Sequence, residues 1–276
     1  MTIRRMTPED VNTVIDWAAA EGWNPGLDDA EAFLAADPDG FFLKTVDGRP
    51  AAAVSVVNHS DDFAFLGLYI CHPDFRGQGH GIAVWRAGLE HAGGRCVGLD
   101  AVTEQSANYV KSGFAPAGRT VRYCGRLQSG QAPAARACRD SDIPDLMRAD
   151  RAACGYARER YMRTWFAPTG GRRSFVVDSG PAGPQFGTVR LCREGAKIGP
   201  LLANTEDAVD SLFAAFAKLA GTGPVYIDVP EAEPDLVALV TARDFEPVFE
   251  TTRMYLGGGL HPALPRFYGV ATLELG

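Results

Sequence analysis

The sequence predicts a mixed α/β protein made of two similar units in tandem, each with helices packed on a mixed sheet (α+β in the broad sense). Three observations carry that expectation. Segments of helical period alternate with short apolar strands. A set of residue pairs recurs in the same order about 130 residues further on. Between the two sets, residues 128–136 are small, polar and Pro/Gly-containing, as linkers are. The expected units are residues 1–127 and 137–276.

Thr2-Ile3-Arg4-Arg5-Met6 reads as a strand, followed by Thr7-Pro8-Glu9-Asp10, a Thr N-cap with Pro at the first helical position and acids in the first turn. Val11, Val14, Ile15 and Ala18 then recur at helical spacing, so residues 8–21 are expected to be an amphipathic helix. A turn at Glu21–Gly26 leads to a short helix around Asp28–Ala35. Strands Phe41–Val46 and Pro50–Asn58 flank a hairpin at Asp47-Gly48. Phe63–Cys71 is almost wholly apolar and belongs at the centre of a sheet. After a glycine-rich loop, a helix should bury Ile82, Trp85, Leu89 and Ala92. Strand Cys96–Ala101, helix Gln105–Lys111 ended by Gly113-Phe114, and a strand through Val121-Arg122-Tyr123 complete the unit.

The second unit is legible as an echo of the first. Phe114-x-Pro116-x-x-x-Thr120-x-Arg122 returns as Phe245-x-Pro247-x-x-x-Thr251-x-Arg253. Asp10-Val11 is answered by Asp142-Ile143, and Leu99-Asp100 by Ile227-Asp228. Three such pairs in one order argue for an internal duplication. Duplication can stand in for a homodimer, or the whole chain can still form one; no motif decides between them.

Composition narrows the function classes. The chain is acidic, with a formal net charge of −7, so nucleic acid is not an expected partner. No apolar run approaches membrane-spanning length and no signal-peptide pattern follows Met1, so a cytoplasmic protein with no membrane partner is expected. The six cysteines form no Cys-x-x-Cys pair and the five histidines no ligand spacing, so neither a disulfide framework nor a metal is expected.

One motif carries chemistry. Arg76-Gly77-Gln78-Gly79-His80-Gly81 lies between a central strand and a helix. Glycines there let the backbone approach a ligand, successive N–H groups converge, and the helix N-terminus favours an anion such as a pyrophosphate. The loop lacks the lysine of a nucleoside-triphosphate site and the spacing of a dinucleotide site.

In this context Cys71–Gly81 resembles the strand-four and pyrophosphate-loop signature of the GNAT superfamily of N-acetyltransferases. Asn108-Tyr109-Val110-Lys111-Ser112-Gly113-Phe114 resembles its second signature. Over its full length the chain is similar to a tandem subfamily with a degenerate C-terminal GNAT-like domain, through Glu21–Gly26, Ile198–Leu201, Tyr226–Pro230 and Arg253–Tyr255. The resemblance implies acetyl-CoA as co-substrate. Its pantetheine would pair with the backbone of Tyr69, Ile70 and Cys71, and its pyrophosphate would bind the amides of Arg76, Gly77, Gln78, Gly79, His80 and Gly81. Tyr109 would be the general acid. A phenol of pKa about 10 is still protonated at neutral pH and can donate to the departing thiolate.

Two departures from the family pattern matter. Val102 stands where an Asn is usual, which leaves Gln105 or Asn108 to supply a cofactor contact. Phe63–Ile70 contains no acid, so the base is unassigned or a water chain. Glu21, at a helix-end turn, and Asp100, at a strand end, are the carboxylates best placed for a substrate; a solvated helix end and a turn cap are their competing readings. In the second unit Asn204–Val209 replaces the glycine loop with two carboxylates, so that unit is not expected to bind CoA. It would form part of an acceptor pocket or cover the first. The expected activity is acetyl transfer from acetyl-CoA to a primary amine of a small molecule. A non-catalytic acyl-CoA sensor and a protein lysine acetyltransferase are the alternatives.

Overall fold

A computed structural model of the chain describes residues 2–128, 134–178, 183–260 and 262–276. Its first unit runs β1 (Thr2–Arg5), α1 (Pro8–Ala20), α2 (Asp29–Ala36), β2 (Phe41–Val46), β3 (Arg49–Asn58), β4 (Phe63–Cys71), α3 (His80–Ala92), β5 (Cys96–Val102), α4 (Ser106–Lys111) and β6 (Ala115–Gly125). The second repeats that order: β7 (Ala135–Ala137), α5 (Ile143–Cys154), α6 (Glu159–Phe166), β8 (Arg172–Val177), β9 (Gln185–Leu191), β10 (Ala196–Ala203), α7 (Glu206–Ala220), β11 (Val225–Pro230), α8 (Pro234–Thr241) and β12 (Glu246–Leu256). A short β13 (Phe267–Gly269) follows.

Local chemistry sets the first elements. Thr7 and Asp10 form a reciprocal capping box at the start of α1: Asp10 N donates to Thr7 Oγ1 at 3.3 Å and Thr7 N to the Asp10 carboxylate at 2.8 Å. The helix buries Val11, Val14, Ile15 and Ala18, as their spacing requires. On α3 the buried stripe differs from the expected one. Val84, Trp85, Gly88 and Ala92 face the sheet, while Leu89 is only half-buried and Ile82 is 46 % exposed. The helix lies so close that a Cβ on Gly88 would meet Val56 at 2.6 Å, which turns the Gly88 side inward and Ile82 outward.

The strands order as β1-β2-β3-β4-β5-β12-β6-β11-β10-β9-β8-β7, with β13 on β10. The units therefore exchange their long last strands. β12 pairs with β5 of the first unit, and β6 with β11 of the second. The two exchanged strands pair antiparallel with each other, and the repeated threonines Thr120 and Thr251 lie directly opposite. The sequence marks this strand only by its passage through Val121-Arg122-Tyr123, and β6 extends over Ala115–Gly125. Ala115–Gly118 show no apolar alternation, and their pairing comes from β12, at Pro116↔Met254 and Ala115↔Tyr255.

Two ion pairs, one buried and one partly buried, lock the exchange. Arg122 of β6 donates from Nε and Nη2 to Asp228 of β11, at 2.7 and 3.0 Å. Arg253 of β12 does the same to Asp100 of β5, at 2.8 and 2.8 Å. A core of α1, α2, α5 and α6 residues, with Phe33 beside Tyr161, spans both units. Separate cores lie under α3 and α7.

The linker expected at 128–136 is shorter than the composition implied. Residues 129–133 lie outside the described residues, but Ala135 and Arg136 belong to β7 and pair with Val177 and Val176. The reason is electrostatic: the Arg136 guanidinium grips both Asp142 and Asp178, which fixes it to the edge of β8.

Because each unit's sheet contains the other's last strand, neither half can keep its sheet alone. Denaturant unfolding followed by fluorescence and by far-ultraviolet circular dichroism should give one coincident transition. Two separated transitions would show that the halves are independent.

Candidate active site

The site begins with a defect in β4. Its pairing with β3 runs Ala53↔Ile70 and then Ser55↔Gly67, which leaves Leu68 and Tyr69 opposite Val54 as a bulge. Leu68 takes φ +45°, a left-handed conformation that costs a bulky residue energy, and its side chain is buried in the core that holds it there. On the other side the parallel ladder to β5 stops at Leu66↔Leu99. Past that point β4 and β5 part, and a cavity of about 580 Å³ opens between them.

The loop after β4 is shaped by its glycines. Gly77 and Gly79 have φ +75° and +77°, and a Cβ on either would project into open space. Here conformation, rather than crowding, requires glycine. α3 starts directly after Gly79 and has no acidic residue in its first turn, which suits an anion at its N-terminus. Arg76 Nε donates to the Cys71 carbonyl at 3.0 Å and the guanidinium pairs with Glu21. Gln78 Nε2 donates to the Asp74 carbonyl at 3.1 Å. The His80 ring is buried edge-on to Phe75, and the ring of Tyr69 lies over Gly81.

The corresponding turn in the second unit is occupied by its own side chains. Thr205 stands where Gly79 does, just before α7, and its hydroxyl accepts from Ala208 N at 3.3 Å. Gln185 Oε1 accepts from the amides of Asn204 and Thr205 at 2.6 and 3.1 Å. Glu206 and Asp207 complete an end that repels anions.

Tyr109 reaches the cavity from α4, its ring tilted against Trp85 at 5.5 Å and edge-on to Phe114 at 6.2 Å between ring centres. Burial, with the nearby Tyr69 hydroxyl adding to it, pushes its pKa above the ordinary 10, so it holds its proton throughout the neutral range. Tyr69, Ile70, Cys71 and Arg76 also line the cavity. Asn108 is exposed and donates to Gln105 Oε1 at 3.0 Å; of the two, Gln105 lines the cavity.

The two carboxylates singled out from sequence both line the cavity, and both are already engaged. Glu21 faces Arg76. Asp100 spends both oxygens on Arg253; burial pushes its pKa up and Arg253 offsets part of that rise. Its position follows from the strand exchange, and it does not offer a free oxygen to a substrate.

Sequence reasoning missed the contribution of the second unit's last residues. Phe249 and Thr251 of β12 and Leu273 and Glu274 of the segment after β13 line the cavity. The β12 residues were visible only as echoes of the first unit, and Leu273 and Glu274 have no counterpart in the repeat. Among the described residues no cluster of His, Cys, Asp and Glu could hold a metal, and no helix is long and apolar enough to cross a membrane.

Residues 9–114 match the acetyltransferase (GNAT) family and residues 146–269 an acetyltransferase (GNAT) domain. The chain is 34 % identical over 272 residues to the holothin acyltransferase of Pseudoalteromonas sp. (strain SANK 73390), covering 97 % of this chain and 92 % of that protein. A crystal structure of a putative acetyltransferase from Pyrococcus horikoshii superposes with a TM-score of 0.81 at 23 % identity, over 100 % of this chain and 95 % of that one. A tandem GNAT protein from the clavulanic acid biosynthesis pathway gives a TM-score of 0.60 at 15 % identity, over 94 % and 99 %.

The engagement of Asp100 has a measurable consequence. Removing one partner of a buried pair strands the other charge, so Asp100→Asn and Asp228→Asn should each lower stability by about 3–5 kcal/mol, read from the denaturation midpoint. An Asp100→Asn protein of unchanged stability but lower affinity for an amine would instead make Asp100 a substrate residue.

Proposed function

The chain belongs to the GNAT family of acyltransferases, and from that premise we propose that it moves the acetyl group of acetyl-CoA to the primary amine of a small molecule. The observation that carries this reading is the cavity: it opens at the β4–β5 splay, beside the Arg76–Gly81 loop, and is walled on one side by residues of the second unit. A cleft walled by both units suits a small acceptor better than a lysine on a protein surface. The relative at 34 % identity is named for transfer to holothin, which makes holothin the first acceptor to try.

In this reading the amides from Arg76 to Gly81 hold the pyrophosphate, and the main chain of Tyr69, Ile70 and Cys71 aligns the pantetheine. The amine nitrogen attacks the thioester carbonyl carbon directly, with no covalent enzyme intermediate. Backbone N–H groups of the bulged β4 polarise that carbonyl. As the C–S bond breaks, its electron pair goes to sulfur and Tyr109 donates the proton that completes the thiol. The apolar shell of Trp85 and Phe114 keeps that proton on Tyr109 until it is needed. The second unit supplies walls rather than a second donor site. The two repeats are accordingly read as functional domains, the first over residues 1–127 and the second from β7 (Ala135–Ala137) onward, with β6 and β12 crossing between them.

Calorimetric titration with acetyl-CoA should find one site per chain, lost in Gly79→Glu, where a charged side chain is forced onto a left-handed residue. Free-thiol release should follow when holothin, benzylamine or tryptamine is added. Binding without thiol release from any amine would make the chain a sensor, and transfer to intact proteins alone would make it a lysine acetyltransferase. Tyr109→Phe should lower kcat by about 10²–10⁴-fold with acetyl-CoA affinity unchanged. Since burial raises the Tyr109 pKa, the wild-type rate should show no loss from its ionisation between pH 7 and 10. A kcat equal to wild type in Tyr109→Phe would remove the tyrosine from the mechanism.

A further inference from the structure

β4 carries no acid, and the two carboxylates best placed by sequence are tied up by Arg76 and Arg253. The cavity has two further carboxylates, and one of them, Glu104, is exposed on the turn before α4. The other is Glu274, at the far end of the second unit. The residue is 3 % exposed, and its Oε2 is buried with no hydrogen-bond partner among the described residues. A buried carboxylate oxygen left unpaired beside a cavity costs stability unless something else uses it.

The segment that carries it is fixed at many points. Val270 N donates to the Asp228 carbonyl at 2.9 Å and Arg190 Nη1 to the Ala271 carbonyl at 3.0 Å. Leu275 N donates to Thr272 Oγ1 at 3.0 Å, and His59 Nε2, from the first unit, to the Leu275 carbonyl at 2.8 Å. Arg158 binds the Gly276 carbonyl. Where the segment passes β4 it crosses Gly67, at which a Cβ would stand 1.9 Å from the Glu274 carbonyl oxygen. Only glycine lets Glu274 lie against the bulged strand.

We propose that Glu274, delivered by the second unit's final segment, is the proton acceptor for the amine in the acyl transfer, a role that rests on the acetyl-transfer reading above. The acceptor enters as an ammonium ion and gives one proton to the Glu274 carboxylate. The freed lone pair forms the C–N bond, and the C–S bond breaks with its electrons on sulfur. Sulfur takes the Tyr109 proton, the second nitrogen proton returns through solvent to the Tyr109 phenolate, and the Glu274 proton leaves to bulk water. The products are one amide, one free thiol and one released proton, so the balance closes without any further reactant.

Other charges face Glu274. Arg122 of β6, Arg190 of β9 and Lys197 of β10 lie within electrostatic reach of it. Asp228 of β11 and Asp29 of α2 are the ion-pair partners of Arg122 and Arg190, and Asp100, paired with Arg253, also lines the cavity. None of the three cations makes an ion pair or hydrogen bond with Glu274 among the described residues. Lys197 is drawn down to about 8, by burial first and Arg122 second, and its Nζ donates to the Trp23 carbonyl at 3.1 Å. A purely structural counter-charge role for Glu274 is therefore the alternative that the test must exclude.

The test uses Glu274→Gln and Glu274→Asp in the full chain, with acetyl-CoA and whichever amine of the panel above the wild type turns over fastest. Glu274→Gln should bind acetyl-CoA as wild type does and lose about 10²–10⁴-fold in kcat/KM for the amine at neutral pH. That deficit should shrink as pH approaches the amine's own pKa, where the acceptor arrives already deprotonated, and Glu274→Asp should restore part of the rate. A pH-independent loss accompanied by a lowered melting temperature would assign Glu274 a structural role and overturn the proposal. So would a wild-type rate in Glu274→Gln. A wild type that binds acetyl-CoA but acetylates no amine would overturn the transfer reading and this proposal together.

Discussion

Two bidentate ion pairs, the buried Arg122 with Asp228 and the partly buried Arg253 with Asp100, hold the middle of the sheet. Each joins a strand of one unit to a strand of the other, and together they fix β6 and β12 in exchanged positions. Arginine suits this place because its planar fork satisfies both carboxylate oxygens at once. A buried pair of this kind is not a large net source of stability, but losing one member is costly, so it specifies which strands meet. The Thr120–Thr251 pairing on the local axis gives the same register from the backbone side.

The cavity follows from that exchange. With β12 beside β5, Thr251 and Phe249 come to the mouth of the β4–β5 splay, and the chain beyond β12 returns through β13 to lay Leu273 and Glu274 against Gly67. The first unit thus offers the glycine loop, the bulged strand and Tyr109. The second offers further walls and an unpaired carboxylate. Its own loop is occupied by Thr205 and Gln185, so the turn that glycines leave open in the first unit is filled by side chains in the second.

Much of this was legible in the sequence because it is local. The capping box at Thr7, the apolar β4, the glycine loop and the Tyr109–Phe114 segment are each set by residues within a turn or two of one another. The repeat was legible as well, and its paired Arg and Asp residues prove to be the two ion pairs. What they do was hidden. Asp100 and Arg253 are 153 positions apart, and no spacing rule connects a strand end to a partner in another unit. Asp100 accordingly reads from sequence either as a substrate carboxylate or as a turn cap. Ile82 was placed inward because period alone does not say which of two adjacent stripes faces the sheet, a choice that Gly88 makes by close approach. Glu274 gives no signal, since it lies beyond the repeat and is placed by the close approach of its main-chain carbonyl to Gly67.

The central claim is that one composite site, with its cofactor end in the first unit and its acceptor end walled by the second, serves the whole chain. A crystal structure of the protein with acetyl-CoA tests it most directly. The account predicts one molecule per chain, its pyrophosphate on the amides of Arg76–Gly81 and its thioester between β4 and β5, facing Tyr109 and Glu274. A cofactor seated at Thr205 and α7 of the second unit, or a thioester pointing away from the β4–β5 splay, would contradict it.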